Sequence, residues 1–352
     1  MDWCGTDYSI YVMFTRPPKK IRNVARKRMA LASGLLILVL WFVFSWLPVG
    51  ILLAAPVELP THTPARTVVS LSTFSQRVFH MRPTLDSIFE QSQFPDRVII
   101  TIPRKFRTPG PTTTVGWRDI AVDPTHYNET EQAMVAWLSG YMGTAPVYRV
   151  NANAQRTSYV YDMGVLTVQF LDDDWGPGTK LVGALLLESH PDTVIVTLDD
   201  DVVYNRDTVQ WLDTHMKENI ALAFGCEMWN ADGSNTFLSG TGLNFDPVLL
   251  VKLLLGPRVC DDWLMGWSGI AYHVSSFGPN IWTVAQSLSP ECFNNDDIWL
   301  SAYMKLQGVT KVLAPLVLHH INHARNLELS LSTMVNFREK EFVCARALLP
   351  PA

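Results

Sequence analysis

Charged residues are scarce in this sequence, and one long interval has none. Only 17% of the 352 residues are charged, and no charge occurs from Met29 to Val57. The core of that interval, LLILVLWFVFSWLPVGILLAA, is long enough to cross a bilayer, which needs about 20 apolar residues. Pro48 and Gly50 do not exclude a membrane helix, because such helices tolerate both residues. We therefore predict an uncleaved anchor over residues 29–55.

Two other interpretations of this run are a signal peptide and a buried core helix. The run is long for a signal peptide, and no small-x-small cleavage pattern clearly follows it. Seven basic residues precede it against two acidic ones, so the positive-inside rule keeps residues 1–28 in the cytoplasm. We expect a single-pass type II protein of the Golgi or another secretory-pathway membrane, with a lumenal body, or of the cell membrane in a prokaryote.

The rest of the chain has an excess of acidic charge. The whole chain carries a formal charge of −5, and the basic tail contributes +5, so the remainder carries −10. An acidic body argues against nucleic acid as a partner. The basic residues of the tail also fit a nuclear signal, but beside a membrane span they are better read as a topology signal.

Cysteine is rare as well, with five in the chain. No Cys-x-x-Cys pair occurs, so a zinc site is not expected. Cys226, Cys260, Cys292 and Cys344 follow the anchor and could form two disulfides in any of three pairings. The sequon at Asn128 is a weak sign of a lumenal body.

The remaining chain alternates apolar strand patterns with helical ones. Residues 56–66 hold three prolines and predict a short stem. Strand patterns at 67–73 and 97–103 enclose a helix pattern, which is the beginning of an α/β sheet with parallel order. We expect one domain over 67–330 and a C-terminal tail over 331–352. No internal repeat or low-complexity segment occurs.

The most informative stretch is VIVTLDDDVVYN, in which an apolar strand runs into Asp199, Asp200 and Asp201. Ligands of open α/β sheets bind beyond the carboxyl ends of the strands. In extended chain Asp199 and Asp201 project to one side, where two carboxylates bind a hard divalent cation. The alternative is an acidic surface turn, which usually needs a Gly or Asn that is missing here.

A second stretch, DDDWGPGTK, lies between a strand and a helix. Its glycines permit close backbone approach, and Lys180 at the start of the helix can meet a phosphate or a carboxylate. Taken alone, it is equally well an ordinary strand-to-helix loop.

Two further clusters carry titratable groups. Asp296 and Asp297 stand at the start of an amphipathic helix, where carboxylates are also ordinary capping residues. His319, His320 and His323 close a strand-like run, and an imidazole there could complete a metal shell. Each histidine is equally well structural.

The order of these pieces resembles the nucleotide-sugar glycosyltransferases of the GT-A fold, especially inverting, family-2-like members. VVSLSTFSQR, DWGPGTK, TLDDDVVY, GWSGIAYH and NDDIWLSAYM carry the resemblance, which covers about residues 66–325. It implies a Rossmann-like, mixed but mainly parallel sheet flanked by helices. It also implies a nucleotide-sugar donor, a glycan, lipid or protein acceptor, and Mn²⁺ or Mg²⁺ as cofactor.

The resemblance also implies roles for single residues. The metal ligands are Asp201 and Asp199, the latter also facing the ribose or a metal-bound water, with His319 or His320 as a further ligand. The donor-binding residues are Arg77, Asp174, Lys180, Asp199, Asp200 and Trp267, the last in a loop over 266–272. Asp296 is our choice for the general base, with Asp297 as the alternative, because Asn295 stands where the family usually has an acidic residue. That departure leaves a retaining mechanism open.

Two rivals remain. VIVTLDDDVV also fits an aspartyl-phosphate (HAD-like) phosphatase, with Asp199 as nucleophile and Asp296–Asp297 as its late acidic motif. That class expects its nucleophile on the first strand, whereas at least two strands precede it here. The other rival is a degenerate, membrane-anchored lectin or scaffold without activity, which Asn295 alone favours.

Overall fold

The computed structural model describes residues 65–104, 106–109, 117–120, 124–153, 156–229, 235–239, 258–314, 322–323 and 337–348. The predicted tail 1–28, the anchor 29–55 and nearly all of the stem 56–66 lie outside these ranges. Within them, no helix combines the length and apolar character needed to cross a bilayer.

Strands and helices alternate along the described chain. The strands are β1 Arg66–Ser72, β2 Arg97–Pro103, β3 Phe106–Pro109, β4 Trp117–Ile120, β5 Val147–Asn153, β6 Arg156–Met163, β7 Leu166–Leu171, β8 Thr193–Thr197, β9 Val202–Val203, β10 Ile220–Ala223, β11 Gly225–Trp229, β12 Asn235–Ser239, β13 Arg258–Val259, β14 Trp263–Leu264, β15 Ile270–His273, β16 Thr310–Leu313 and β17 Asn322–His323. The helices are α1 Ser75–Val78, α2 Arg82–Phe89, α3 Pro124–Met142, α4 Thr179–Leu187, α5 Thr208–His215, α6 Ile281–Gln286, α7 Pro290–Phe293, α8 Asp296–Leu306 and α9 Phe337–Leu348.

Ten strands form one mixed sheet in the order β13-β16-β10-β15-β8-β1-β2-β7-β6-β5. The strands β8, β1, β2 and β7 are parallel neighbours, as are β10 and β16. Only β6, β13 and β15 oppose the common direction. The α/β class and a sheet whose strands mostly point one way are therefore confirmed.

Successive side chains of the central strands point to opposite faces of the sheet. Helices cover both faces, so both are buried. Val69, with its neighbours on one face, packs against α2, α3 and α5. Val68, with its neighbours on the other, packs against α4, α6 and α8. This explains why the central strands are continuous apolar runs without polar alternation.

The early strands follow the sequence expectation closely, and one later segment departs from it. The strand predicted over 97–103 is β2, and the helix pattern predicted between the first two strands contains α2. The segment 266–272 was expected to be a loop. It is a single 3₁₀ turn, Gly266–Ser268, followed by β15, which lies antiparallel between β8 and β10. The loop assignment is therefore wrong for the second half of this segment.

Two disulfides settle the cysteine pairing that the sequence left open. Cys226 pairs with Cys260, and Cys292 pairs with Cys344. The second bond ties α7 to α9, within the segment predicted as a C-terminal tail. It lies in a small apolar cluster with Ile298 of α8, so the start of α8 packs against this covalent link.

Candidate active site

The candidate site lies at the carboxyl ends of β1 and β8. From β1 the chain proceeds outward through β2 and β7, and it then returns to place β8 on the other side of β1. Ligands bind outside such a reversal of strand order in open α/β sheets. Thr73 and Arg77 follow β1 here, and Asp199 to Asp201 follow β8.

Asp200 is the buried anchor of the acidic triplet. Thr73 Oγ1 donates to its carboxylate at 2.5 Å, and Arg77 Nη2 lies 2.8 Å from its other oxygen. Thr84 Oγ1 donates to its backbone carbonyl at 3.0 Å. Burial raises the pKa of Asp200 to about 7, against the opposing effects of Arg77 and Thr73. Asp200 therefore holds the turn to β1 and α2.

Asp199 and Asp201 are the more open members of the triplet, with 30% and 26% of their side chains exposed. Arg77 Nη2 lies 2.6 Å from Asp201 Oδ2, so this cation is shared with Asp200. Asp199 pairs with Lys180 instead. The chain turns at Asp200 and Asp201, so the simple alternation expected of an extended chain does not hold, although both predicted metal-binding carboxylates reach solvent.

The glycine turn before α4 brings that helix against α7 and α8. Gly176 has φ +60°, and a Cβ there would lie 2.4 Å from the carbonyl oxygen of Phe293. A Cβ on Gly178 would lie 2.5 Å from the indole of Trp299. Asp174, a predicted donor-binding residue, is buried and accepts the Gly176 N–H at 2.8 Å, so it shapes the turn. The glycines of DWGPGTK are thus required by the close approach of α7 at Gly176 and of α8 at Gly178.

Lys180 links the acidic triplet to the carboxylates of α8. Its Nζ lies 2.6 Å from Asp199 Oδ1 and 3.0 Å from Asp296 Oδ2, and the residue is only 4% exposed. Burial lowers the pKa of Lys180, but Asp199, Asp296 and Asp297 outweigh it and leave the pKa well above the usual value. The side chain is therefore a charged ammonium among carboxylates.

Asp296 and Asp297 occupy the first turn of α8. Asp296 is buried against Lys180, whereas Asp297 is half-buried and accepts the Gly266 N–H at 2.9 Å. Burial raises the pKa of both carboxyls, and Lys180 opposes the rise. Asn295, in the position of the expected acidic residue, donates to the carbonyl of Glu291 at 2.6 Å and has a local structural role.

Trp267 lies in the turn next to these carboxylates and is half-buried. Its carbonyl oxygen accepts from Tyr204 Oη at 3.4 Å, and the same phenol accepts the Asp199 N–H at 2.7 Å. Tyr204 thus joins the Trp267 turn to the triplet, and no sequence signal pointed to it. Thr73 could have been found, because it opens the Ser/Thr-x-x-x-Arg pattern with Arg77.

Only some of the predicted metal ligands are among the residues that the structure describes. His319 and His320 lie outside the described residues. The backbone of β17 pairs with β9, with His323 opposite Val202, so Asn322 and His323 lie beside the strand that follows the triplet. Among the described residues, no group of three or more His, Cys, Asp or Glu is arranged to hold a metal. The oxygens of Asp199 and Asp201 are still the hard donors that Mn²⁺ or Mg²⁺ requires.

No family model and no curated protein matches the chain. Among solved structures, a mannosyltransferase, PcManGT from Pyrobaculum calidifontis in complex with GDP-Man and Mn²⁺, aligns with 83% of this chain and 66% of its own, at 15% identity and a TM-score of 0.37. S. aureus TarS 1-349 aligns with 72% of this chain and 59% of its own, at 14% identity and a TM-score of 0.38.

The galactosyltransferase LgtC, in complex with donor and acceptor sugar analogues, aligns with 69% of this chain and 70% of its own, at 9% identity and a TM-score of 0.31. The chain therefore spans about two thirds or less of the length of the first two structures. Likeness at this level decides no function, which has to come from the geometry of the site.

Proposed function

We propose that this chain is a glycosyltransferase that moves a sugar from a nucleoside-diphosphate sugar to a hydroxyl group of a glycan, lipid or protein. One observation carries the proposal. The reversal of strand order at β1 and β8 brings together the open carboxylates of the triplet, the ammonium of Lys180 and the carboxylates that begin α8. This arrangement supports a donor site with a general base beside it.

The charge of the site supports a cation as part of donor binding. Five carboxylates surround two cations, Lys180 and Arg77, which formally leaves −3 among the described residues that these contacts join. A diphosphate would be repelled by this charge. A divalent cation held by Asp199 and Asp201 would supply the positive charge that a diphosphate needs as it leaves.

Asp297 is the better-placed general base of the two candidates. Asp296 is buried and ion-paired with Lys180, whereas Asp297 is half-buried and hydrogen-bonded to the turn that carries Trp267. Burial and the neighbouring Asp296 raise its pKa, which makes its carboxylate a stronger proton acceptor than an ordinary aspartate. A base in this position supports inversion, and Trp267 would offer its face to the sugar beside it.

The location remains part of the proposal. Two disulfides in the described domain support an oxidising compartment. Together with the apolar run 29–55 and the basic tail 1–28, they favour a type II protein with a lumenal catalytic domain, in the Golgi or another secretory-pathway membrane, or an external domain at a prokaryotic cell surface.

A donor screen tests the function directly. The full-length chain is incubated with a panel of nucleotide sugars and Mn²⁺, and release of nucleoside diphosphate is measured with and without simple acceptors. We expect release with one class of donor, lost in Asp201→Asn. Phosphate release from monoesters without nucleotide binding would instead favour the phosphatase, and glycan binding that ignores nucleotide would favour the lectin.

Asp297→Asn and Asp296→Asn then identify the base. We expect Asp297→Asn to lose transfer while it still binds donor, because its carboxylate does not contact Lys180 in an ion pair. Asp296→Asn should affect donor affinity as well, through Lys180 and Asp199. The reverse pattern would restore Asp296 as the base, and normal turnover in both variants would favour a retaining mechanism.

A further inference from the structure

We propose that Lys180 is a resident counter-ion that a divalent cation must displace from Asp199 before the donor site is loaded. The inference rests on the proposed function and gives Lys180 a role other than phosphate binding. Its ammonium is already shared between Asp199 and Asp296 at hydrogen-bond distance. The ammonium therefore stabilises the site when no donor is bound, since these carboxylates would otherwise repel one another.

The position of the ammonium leaves little room for a phosphate. Lys180 is buried, and a Cβ added to Gly266 would lie 3.0 Å from Nζ and 2.5 Å from Asp297 Oδ1. The ammonium is therefore enclosed by the Gly266 turn, by Asp199 of the triplet and by the carboxylates that begin α8. A donor phosphate would have to enter this enclosure, whereas Asp199 and Asp201 are open to solvent.

A cation that arrives at Asp199 competes with Lys180 for the same carboxylate. Oδ1 already accepts from Nζ at 2.6 Å, and like charges a few ångströms apart repel strongly in a partly buried site. Lys180 has an alternative partner in Asp296 and a long, flexible stem. Displacement would therefore shift the ammonium toward α8 and keep it paired.

Direct Mn²⁺ binding without nucleotide distinguishes this role from phosphate binding. Titration calorimetry of the full-length chain compares the wild type with Lys180→Gln, and we expect Mn²⁺ to bind about tenfold more tightly once the competing charge is gone. Lys305→Gln on α8 is the matched control, since it removes one lysine charge from the last turn of the helix that carries Asp296. That control should stay within about twofold of the wild type.

Two more variants protect the test against misfolding. Lys180→Arg keeps the charge and should retain an affinity close to that of the wild type. Asp296→Asn leaves Lys180 with Asp199 as its partner and should weaken Mn²⁺ binding. This change in affinity is opposite in direction to the one expected for Lys180→Gln. Thermal unfolding of each variant shows which ones are folded.

Equal or weaker Mn²⁺ binding by folded Lys180→Gln would overturn the inference, as would no Mn²⁺ binding by any variant. Neither result decides whether the chain transfers sugar, which the donor screen tests on its own. If Lys180→Gln binds nucleotide more weakly while its Mn²⁺ affinity is unchanged, Lys180 binds the donor phosphate and is not a competing counter-ion.

Discussion

Gly178→Ala tests the packing that brings the two halves of the site together. The new Cβ would lie 2.5 Å from Cζ2 and 3.2 Å from Cε2 of Trp299, where carbon atoms normally stay about 3.5 Å or more apart. Trp299 is almost fully buried, so either its indole or α8 must move. Overpacking of this kind costs about 1–3 kcal/mol of the free energy of unfolding.

The assay is urea unfolding at neutral pH, with Gly140→Ala as the matched control. Gly140 lies in α3 with no atom within 4 Å of an added Cβ, so that substitution should stabilise the protein by up to about 1 kcal/mol. Trp299→Phe in the Gly178→Ala background should restore part of the loss, because the smaller ring relieves the overlap. Equal stability of the two alanine variants, or no relief by Trp299→Phe, would refute the reasoning.

Three other predictions follow from single contacts. Asp201→Asn should lower transfer on the order of a hundredfold with little change in thermal unfolding, because Arg77 keeps Asp200; a large loss of stability would contradict this. Tyr204→Phe leaves the Asp199 N–H without its acceptor and should lower the free energy of unfolding in urea by about 1–3 kcal/mol. An unchanged unfolding midpoint would show that this hydrogen bond does not stabilise the fold. Burial lowers the pKa of Lys311 to about 8, so the folded protein binds fewer protons than the unfolded chain above that pH. Stability should then rise by about 2 kcal/mol from about pH 7.5 to about pH 9.5, and Lys311→Met should abolish this rise; a rise that persists in the variant would assign it to another group.

The early strands and the motif positions were predictable because each is a local pattern. The run Arg97–Pro103 is β-branched and bounded by polar residues, so both ends of β2 could be placed. The strand β8, Thr193–Thr197, was predictable for the same reason, and it ends one residue before the acidic triplet. The start of α8 at Asp296 was visible from the acidic pair and the apolar spacing that follows it.

The strand β15 was not predictable from its own residues. β15 is four residues long and follows a glycine-containing turn, so its residues resemble a loop until β8 and β10 are placed on either side of it. The same holds for the disulfides, because only the fold shows which cysteines lie within bonding distance. Three pairings were open, and the structure has Cys226–Cys260 and Cys292–Cys344.

By itself, the sequence determined the α/β class, the order of the motifs and the position of the acidic triplet after a strand, because local periodicity and residue type specify these features. Only the tertiary structure decided which charges meet. In the structure Lys180 lies between Asp199 and Asp296, and Arg77 pairs with Asp200 and Asp201. Tyr204 forms hydrogen bonds with two segments of the site. The physical reason is that ion pairs between distant segments depend on how closely helices pack, here on two glycines that let α4 approach α7 and α8.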